Sequence, residues 1–300
     1  MTSLSDLPHF IIISAEFITG ITVNGFLIII NCIEFIQSRK LTPVQLLLTC
    51  IGMSRFGLQM LLMVQIVFTV FFPLYYKENI YGAVIIFIWI FFSSTSLWFA
   101  TCLSIFYCLK ISGFTQSYFL WLKFRISKLM PWLLLGSLLA SLSLAAVSIE
   151  VDFPKTDHDA LRNATLRMTT LKMKPINEVL FVNLALIFPL AVFVMCTFMI
   201  LISLYKHTHR MQKGRGFRNA NMEVHLNALR TVVSFLFFFL SYFAAFMANA
   251  AFTIPYKSQR YFVVKDIMGI YPSGHSVVII LSNSKLQKPF RRLLCLRKNQ

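Results

Sequence analysis

The chain of 300 residues is 57% hydrophobic, contains 31 Phe, and carries a charge on only 13% of its residues. A soluble protein of this size cannot hide so much apolar surface, so the composition excludes an ordinary soluble domain. The net charge of +17 stands in short clusters between long apolar runs. This pattern excludes a nucleic-acid-binding face, which needs a continuous basic surface.

Seven apolar stretches are long enough to cross a membrane, since a spanning helix needs about 20 mostly apolar residues. Helices are favoured over strands because a helix satisfies its own backbone hydrogen bonds within lipid. The first stretch is too long for a cleavable signal sequence and predicts an anchor that stays in the protein. The sequence therefore predicts one all-α membrane domain, residues 1–300, with spans at 10–36, 44–72, 82–110, 128–149, 178–206, 227–253 and 261–284.

A basic tail, residues 285–300, follows the last predicted span. Apolar residues of the tail fall on one helical face, opposite the basic ones, at Leu286, Phe290, Leu293 and Leu294. The pattern predicts a short amphipathic helix on an anionic inner leaflet. Cys295 is compatible there with an acylation site or with a free thiol.

The charged loops indicate the orientation, because cytoplasmic loops carry the excess of Lys and Arg. Most Lys and Arg residues outside the spans fall in the tail or in loops on the side of the tail. We therefore expect a multi-pass plasma-membrane protein with its N-terminus extracellular. The sequon at Asn163 lies in the loop 150–177, which this topology places outside, so Asn163 is a predicted glycosylation site.

All six cysteines lie in predicted spans or in the tail, so we expect no disulfide in the outer loops. No Cys and His spacing is typical of a zinc site, and His207 with His209 forms only an isolated pair in a predicted loop. The sequence predicts neither a metal nor a cofactor.

Arg55 is the residue least expected from its surroundings, because a charge at the centre of a span costs at least about 2.5–3.5 kcal/mol. It lies roughly 16 Å from the inner end of the second span, too deep to reach water easily. We expect Arg55 to face the interior in a polar network. Its expected partners are Asn24 in the first span and Ser276 or Asn283 in the seventh.

The seventh span contains the sequence Tyr271-Pro272-Ser273-Gly274-His275, in which Pro and Gly predict a kink. Pro-Ser-Gly-His also occurs in membrane lipid phosphatases, but the two further motifs of those enzymes are absent, so no enzyme is predicted. Lys265 and Asp266 lie near the outer end of this span. They are compatible with interfacial charges, or with a Lys265 that faces the bundle and marks a ligand cavity.

A series of motifs runs in order along nearly the whole chain, while Asp-Arg-Tyr, Asn-Pro-x-x-Tyr and Cys-Trp-x-Pro, which are common in rhodopsin-like receptors, are absent. The motifs are Asn24-Gly25, Leu46-Leu47-Leu48, Ser54-Arg55, Leu97-Trp98-Phe99-Ala100-Thr101, Phe106 to Ile111, Trp121 to Ile126, Leu201-Ile202-Ser203-Leu204 with His207, His225 to Arg230, His275-Ser276 and Asn283 to Leu286. In this combination the chain closely resembles the type 2, or bitter, taste receptors. The resemblance implies a seven-transmembrane G-protein-coupled receptor.

The family pattern also implies roles for residues at matching positions. Bitter ligands would bind in the outer half of the bundle, at Trp89, Ser93, Phe181, Leu186, Tyr242, Phe246, Asn249 and Lys265. Switching and G-protein coupling would involve Arg55, Tyr107, Lys110, Lys123, Arg125, Leu204, His207, His225, Arg230 and His275. Two residues depart from the pattern, since Ser93 replaces a frequent Asn and Arg230 replaces Lys with a differently hydrated charge.

The implied partners are bitter small molecules, membrane lipid and a heterotrimeric G protein with a gustducin-like, inhibitory-type α subunit. The resemblance leaves the oligomeric state open. A secondary transporter is a weaker alternative, because inverted repeats and a matching pair of broken helices are not visible in the sequence. A non-signalling relative of the receptors is a further alternative.

Overall fold

The computed structural model describes residues 7–71, 80–111, 117–152, 172–173, 176–213, 220–253 and 258–295. These residues form eight helices, α1 (Leu7–Ser38), α2 (Pro43–Phe71), α3 (Ile80–Ile111), α4 (Ser117–Asp152), α5 (Ile176–Lys213), α6 (Ala220–Ala251), α7 (Gln259–Ser282) and α8 (Ser284–Cys295). The predicted helical bundle is confirmed. The sequence did not predict one small element, in which strand β1 (Lys172–Met173) pairs antiparallel with strand β2 (Phe252–Thr253).

Within the described ranges, five helices are long and apolar enough to cross a membrane, through the segments Leu7–Ser38, Pro43–Phe68, Val84–Lys110, Ser117–Ser148 and Ala185–Ser203. Helix α6 contributes a shorter apolar segment, Val233–Asn249. Helix α7 is more polar because it carries Lys265, Asp266 and His275, but all three are buried. A membrane helix tolerates such residues when they face neighbouring helices instead of lipid.

Helix α4 begins at Ser117 rather than at the predicted residue 128. Lys123 and Arg125, which lie outside the predicted span, therefore stand on a helix. The helix continues here because its apolar residues repeat at helical spacing. Ile126 and Met130 are buried against the bundle, while Arg125 is exposed.

Helix α5 continues to Lys213, so His207 is also helical and not part of a loop as predicted. Helix α6 begins at Ala220, ahead of the predicted residue 227. The predicted boundaries follow hydropathy, which changes at the edge of the hydrocarbon. Backbone hydrogen bonding does not depend on that edge, so the helices extend beyond it.

Helix α3 is central in the bundle and packs against α2, α4 and α5, while α7 packs against α1, α2 and α6. We call the half of the bundle that contains α8 the inner half and the opposite half the outer half. Large apolar side chains cover the outside, including Ile36, Trp132 and Phe237. This inverted surface is expected of a bundle that lipid surrounds.

Pro189 and Pro272 each stand inside a continuous bundle helix, α5 and α7 respectively. The carbonyl of Pro189 accepts a hydrogen bond from Thr101 Oγ1 of α3 at 3.1 Å. The carbonyl of Pro272 accepts one from Asn24 Nδ2 of α1 at 3.0 Å. Neighbouring helices thus donate hydrogen bonds to the backbone at both prolines.

Candidate functional site

Arg55 is completely buried on α2, in the interior of the bundle. Its Nη1 donates a hydrogen bond to Ser276 Oγ at 3.1 Å, and its Nη2 donates one to Tyr271 OH at 3.2 Å. The guanidinium carbon also lies 4.8 Å from the centroid of the Tyr271 ring. Among the described residues Arg55 forms no salt bridge, so neutral hydroxyl groups of α7 hold the charge.

Asn24 extends this network to α1. Ser276 Oγ donates to Asn24 Oδ1 at 2.7 Å, and Asn24 Nδ2 donates to the carbonyls of Gly20 and Pro272. The other predicted partner, Asn283, does not join it. Asn283 caps the inner end of α7, where its backbone N–H bonds the carbonyls of Ile279 and Ile280. It lies two turns of helix away from Ser276, too far along α7 to reach Arg55.

His275 is buried beside the Arg55 network and links α7 to α6. Its ring stacks on Phe235 with the centroids 4.0 Å apart and lies parallel to Tyr271 at 6.3 Å. Within the described ranges, His275 Nδ1 and Arg55 Nε have no hydrogen-bond partner. The network therefore keeps unused polar atoms that face the interior.

Lys265 lies in the outer half and points into the bundle, so the structure favours the buried alternative over an interfacial charge. Its Nζ donates to Gln65 Oε1 of α2 at 3.0 Å and lies 5.1 Å from the centroid of the Trp89 ring. Asp266 is directed elsewhere, since its Oδ2 bonds His9 Nδ1 of α1 at 2.6 Å. The charge of Lys265 is therefore not cancelled by a direct contact with Asp266.

Trp89 and Phe246 stack in the outer half, with their centroids 5.2 Å apart, and Tyr242 lies 6.3 Å from Phe246. These residues share one apolar cluster with Leu186. Trp89 Nε1 is buried and has no hydrogen-bond partner in the described part of the chain, and the buried Ser93 Oγ lies beside Tyr242 OH. Since buried polar groups are normally paired, this group of atoms marks a place where a polar ligand atom or water gains hydrogen bonds.

Asn249 is half-buried on α6, about one turn beyond Phe246. The side chain of Phe181, predicted to contact ligand, lies outside the described residues, although its backbone belongs to α5. Asn163, the predicted glycosylation site, also lies outside them.

The inner end of the bundle carries the residues predicted to couple to a G protein. Tyr107 is half-buried and packs edge-on against Phe106, and Lys110 is exposed with its Nζ 5.9 Å from the Phe106 centroid. On α4, Arg125 lies over the Trp121 ring at 4.6 Å, and Lys123 is half-buried. The side chains of the remaining predicted residues lie outside the described ones, namely Leu204, His207, His225 and Arg230.

Two residues of the site were not identified from the sequence. Gln65 holds Lys265, and Tyr271 contacts Arg55, Ser96 and Tyr242. An isolated Gln within an apolar span was a visible signal for the first. Nothing in the sequence distinguished Tyr271 from an aromatic residue that anchors a helix at the membrane surface.

Tyr271→Phe removes the hydroxyl that accepts from Arg55 and leaves a buried charged donor unpaired. We expect the free energy of unfolding to fall by about 1–3 kcal/mol, measured as a lower melting temperature of the purified protein in detergent. Tyr118→Phe is the control, because Tyr118 is 88% exposed. Equal melting temperatures for Tyr271→Phe and the unmodified protein would contradict the importance of this hydrogen bond.

The family model described as Taste receptor protein (TAS2R) matches residues 1–298. The human protein named Taste receptor type 2 member 2 is 70% identical over 298 residues, covering 99% of this chain and 98% of its own. Taste receptor type 2 member 7 of Macaca mulatta is 34% identical over 285 residues, covering 93% of this chain and 90% of its own.

The fold is similar to that of squid rhodopsin, with a TM-score of 0.63 over 100% of this chain and 89% of the rhodopsin chain. The sequences are only 14% identical, so this likeness concerns the fold alone. It confirms the predicted seven-transmembrane bundle, with α8 as the additional short helix. The relatives are receptors, in agreement with the prediction that the chain is not an enzyme. The chain belongs to the taste receptor protein (TAS2R) family and is a multi-pass protein of the plasma membrane.

Proposed function

We propose that this protein is a G-protein-coupled receptor for bitter small molecules that bind in the outer half of the bundle and activate a gustducin-type G protein. The observation that carries the proposal is the group of buried polar atoms on Trp89, Ser93 and Tyr242, of which Trp89 Nε1 has no partner among the described residues. A ligand that supplies hydrogen-bond partners for these atoms is stabilised, because no water competes for them as it does for solvent-exposed groups. The relative named Taste receptor type 2 member 2 supports the same class of function.

The walls around these atoms suit drug-sized, largely apolar ligands, because they combine aromatic faces with a few polar groups. Leu186 and Phe246 supply apolar contact, and Asn249 and Phe181 complete the proposed site. Lys265 adds one positive charge next to the Trp89 ring. We infer that this charge biases the receptor towards agonists that carry acidic or strongly accepting groups.

The proposed mechanism is a shift between two packings of the bundle. Tyr242 lies 4.8 Å from Tyr271, measured between ring centroids, and Tyr271 OH accepts from Arg55. An agonist that contacts Tyr242 therefore acts on the same residue that holds α2 to α7. It shifts the equilibrium only by the difference between its affinities for the two packings.

The stack of His275 on Phe235 continues this contact path towards the inner half, between α7 and α6. Tyr107 and Lys110 would then gate the cavity that admits the G protein, with Leu204, His207, His225 and Arg230 flanking it. Lys123 and Arg125 add positive charge at the same end. Basic loops on the cytoplasmic side fit a topology with the N-terminus outside and a glycosylated Asn163.

The first test is calcium release in cells that co-express the receptor with a gustducin-like α subunit, measured against a panel of bitter compounds. We expect a dose-dependent response that disappears when the α subunit is omitted. Empty-vector cells control for responses of the host. A silent receptor with confirmed surface expression would contradict the proposal and favour a non-signalling relative.

Tyr107→Ala and Lys110→Ala test the inner gate in the same assay. Each variant should lose at least about tenfold in agonist potency or most of its maximal response, since contacts made only in the active packing control the equilibrium. Surface expression should stay normal. Lys128→Ala is the control, because Lys128 is an exposed cation of α4 that has no proposed function. Normal signalling in both test variants would refute the gate.

Lys265→Met tests the proposed charge of the ligand site while keeping most of the side-chain volume. We expect agonists with acidic or strongly accepting groups to lose about tenfold in potency, as expected for one lost charge-assisted hydrogen bond. Neutral agonists should keep their potency. Arg260→Gln removes an exposed charge near the start of α7 and serves as control. Unchanged potency for every agonist would exclude Lys265 from ligand selection.

A further inference from the structure

A separate cavity of about 340 Å³ lies at the inner end of the bundle, between the end of α1, the start of α2 and α8. It shares no residue with the proposed agonist site or with the proposed G-protein contacts. Its polar lining consists of Asn31, Glu34, Thr42, Gln45, Asn283 and Lys285. The polar residues come from α1, α2 and α8 and from the links that precede α2 and α8, so only the folded bundle assembles them.

Asn31 provides an unpaired donor to this cavity. The residue is 3% exposed, and its Nδ2 has no hydrogen-bond partner among the residues that the structure describes. A buried amide without a partner is rare, because leaving it unpaired costs free energy. A ligand atom that accepts a hydrogen bond would remove this cost.

Two opposite charges complete the lining. Glu34 lies three residues beyond Asn31, hence on the same face of α1, and accepts from Gln45 Nε2 through one of its two oxygens. Lys285 lies on the α8 wall, where it is exposed and makes no salt bridge with any described residue. The cavity therefore offers a carboxylate on one side and an ammonium group on the other. A ligand that carries both a cation and an anion fits this distribution.

The position of the cavity indicates what kind of zwitterion reaches it. Arg39 and Lys40 follow α1 as exposed residues, and α8 is a basic amphipathic helix, so the cavity lies at the level of lipid headgroups. Ile29 and Ile33 of α1 are 59% and 43% exposed. These apolar side chains lie at the level of the cavity on a different face of α1, where they provide a surface for acyl chains.

We propose that this cavity binds the headgroup of an ethanolamine phospholipid. The ammonium group of the lipid donates to Glu34, and its phosphate accepts from Lys285 and from Asn31 Nδ2. Charge-assisted hydrogen bonds of this kind are stronger than neutral ones. A choline headgroup carries the same phosphate, but its methylated nitrogen has no N–H donor and needs more room. The site therefore distinguishes the two headgroups through Glu34.

Native mass spectrometry of the purified full-length receptor tests this site with an equimolar mixture of phosphatidylethanolamine and phosphatidylcholine that have identical acyl chains. The unmodified receptor should retain more phosphatidylethanolamine. Glu34→Gln should lower the ratio of ethanolamine to choline lipid by about fivefold, as expected when a charge-assisted hydrogen bond becomes a neutral one. Glu16→Gln is the matched control, since it makes the same change on α1 in the outer half.

Lys285→Gln tests the phosphate contact, which both lipids share. This variant should retain less of either lipid without changing their ratio, whereas Lys288→Gln, on the same helix but outside the cavity lining, should retain both. Because Lys285 is exposed, this variant folds even if Glu34→Gln does not. Equal retention of the two lipids by the unmodified receptor would overturn the proposal. Equal effects of the test and control variants would also overturn it.

Discussion

A guanidinium group inside a lipid-embedded bundle depends on hydrogen-bond partners that the bundle supplies, and this constraint organises the interior. The charge of Arg55 costs at least about 2.5–3.5 kcal/mol at this depth, while hydrogen bonds to a charged group contribute about 1.5–3 kcal/mol each. The two bonds to Tyr271 and Ser276 act against that cost. Both partners belong to α7. The need of the Arg55 charge for hydrogen bonds therefore fixes the position of α2 relative to α7.

The need for hydrogen-bond partners inside the bundle also explains why α7 is the most polar of its spanning helices. Its lipid-facing positions remain apolar, since Val263, Ile267 and Ile270 are exposed and follow one another at helical spacing. Its polar residues occupy the opposite face, where Lys265 bonds Gln65 and Ser276 bonds Asn24. A hydropathy average taken around the whole helix conceals this division. The helix fits the membrane because its apolar face contacts lipid, although its mean composition is polar for a spanning helix.

Much of the fold could be predicted from the sequence, because apolar stretches of sufficient length have few alternatives in lipid. The inward direction of Arg55 followed from the same reasoning. The partners of the buried charges were harder to predict, since they depend on the rotation of one helix against another. Gln65 and Tyr271 were therefore missed, and the sequence could not decide between Ser276 and Asn283. Helix ends were also missed at α4 and α5, where helical structure extends beyond the predicted spans.

The location of polar residues on α7 bears directly on how ligand binding and signalling can be joined. Tyr271 is shared by the aromatic cluster of the proposed ligand site, through Tyr242, and by the Arg55 network. Pro272 follows it inside the helix and has no backbone N–H to donate. Coupling between distant sites requires a contiguous element with two arrangements that both sites bias. Within the described part of the chain, α7 has the contacts of such an element, since its outer residues contact the proposed ligand site and its middle holds the charge that ties α1 and α2 to it.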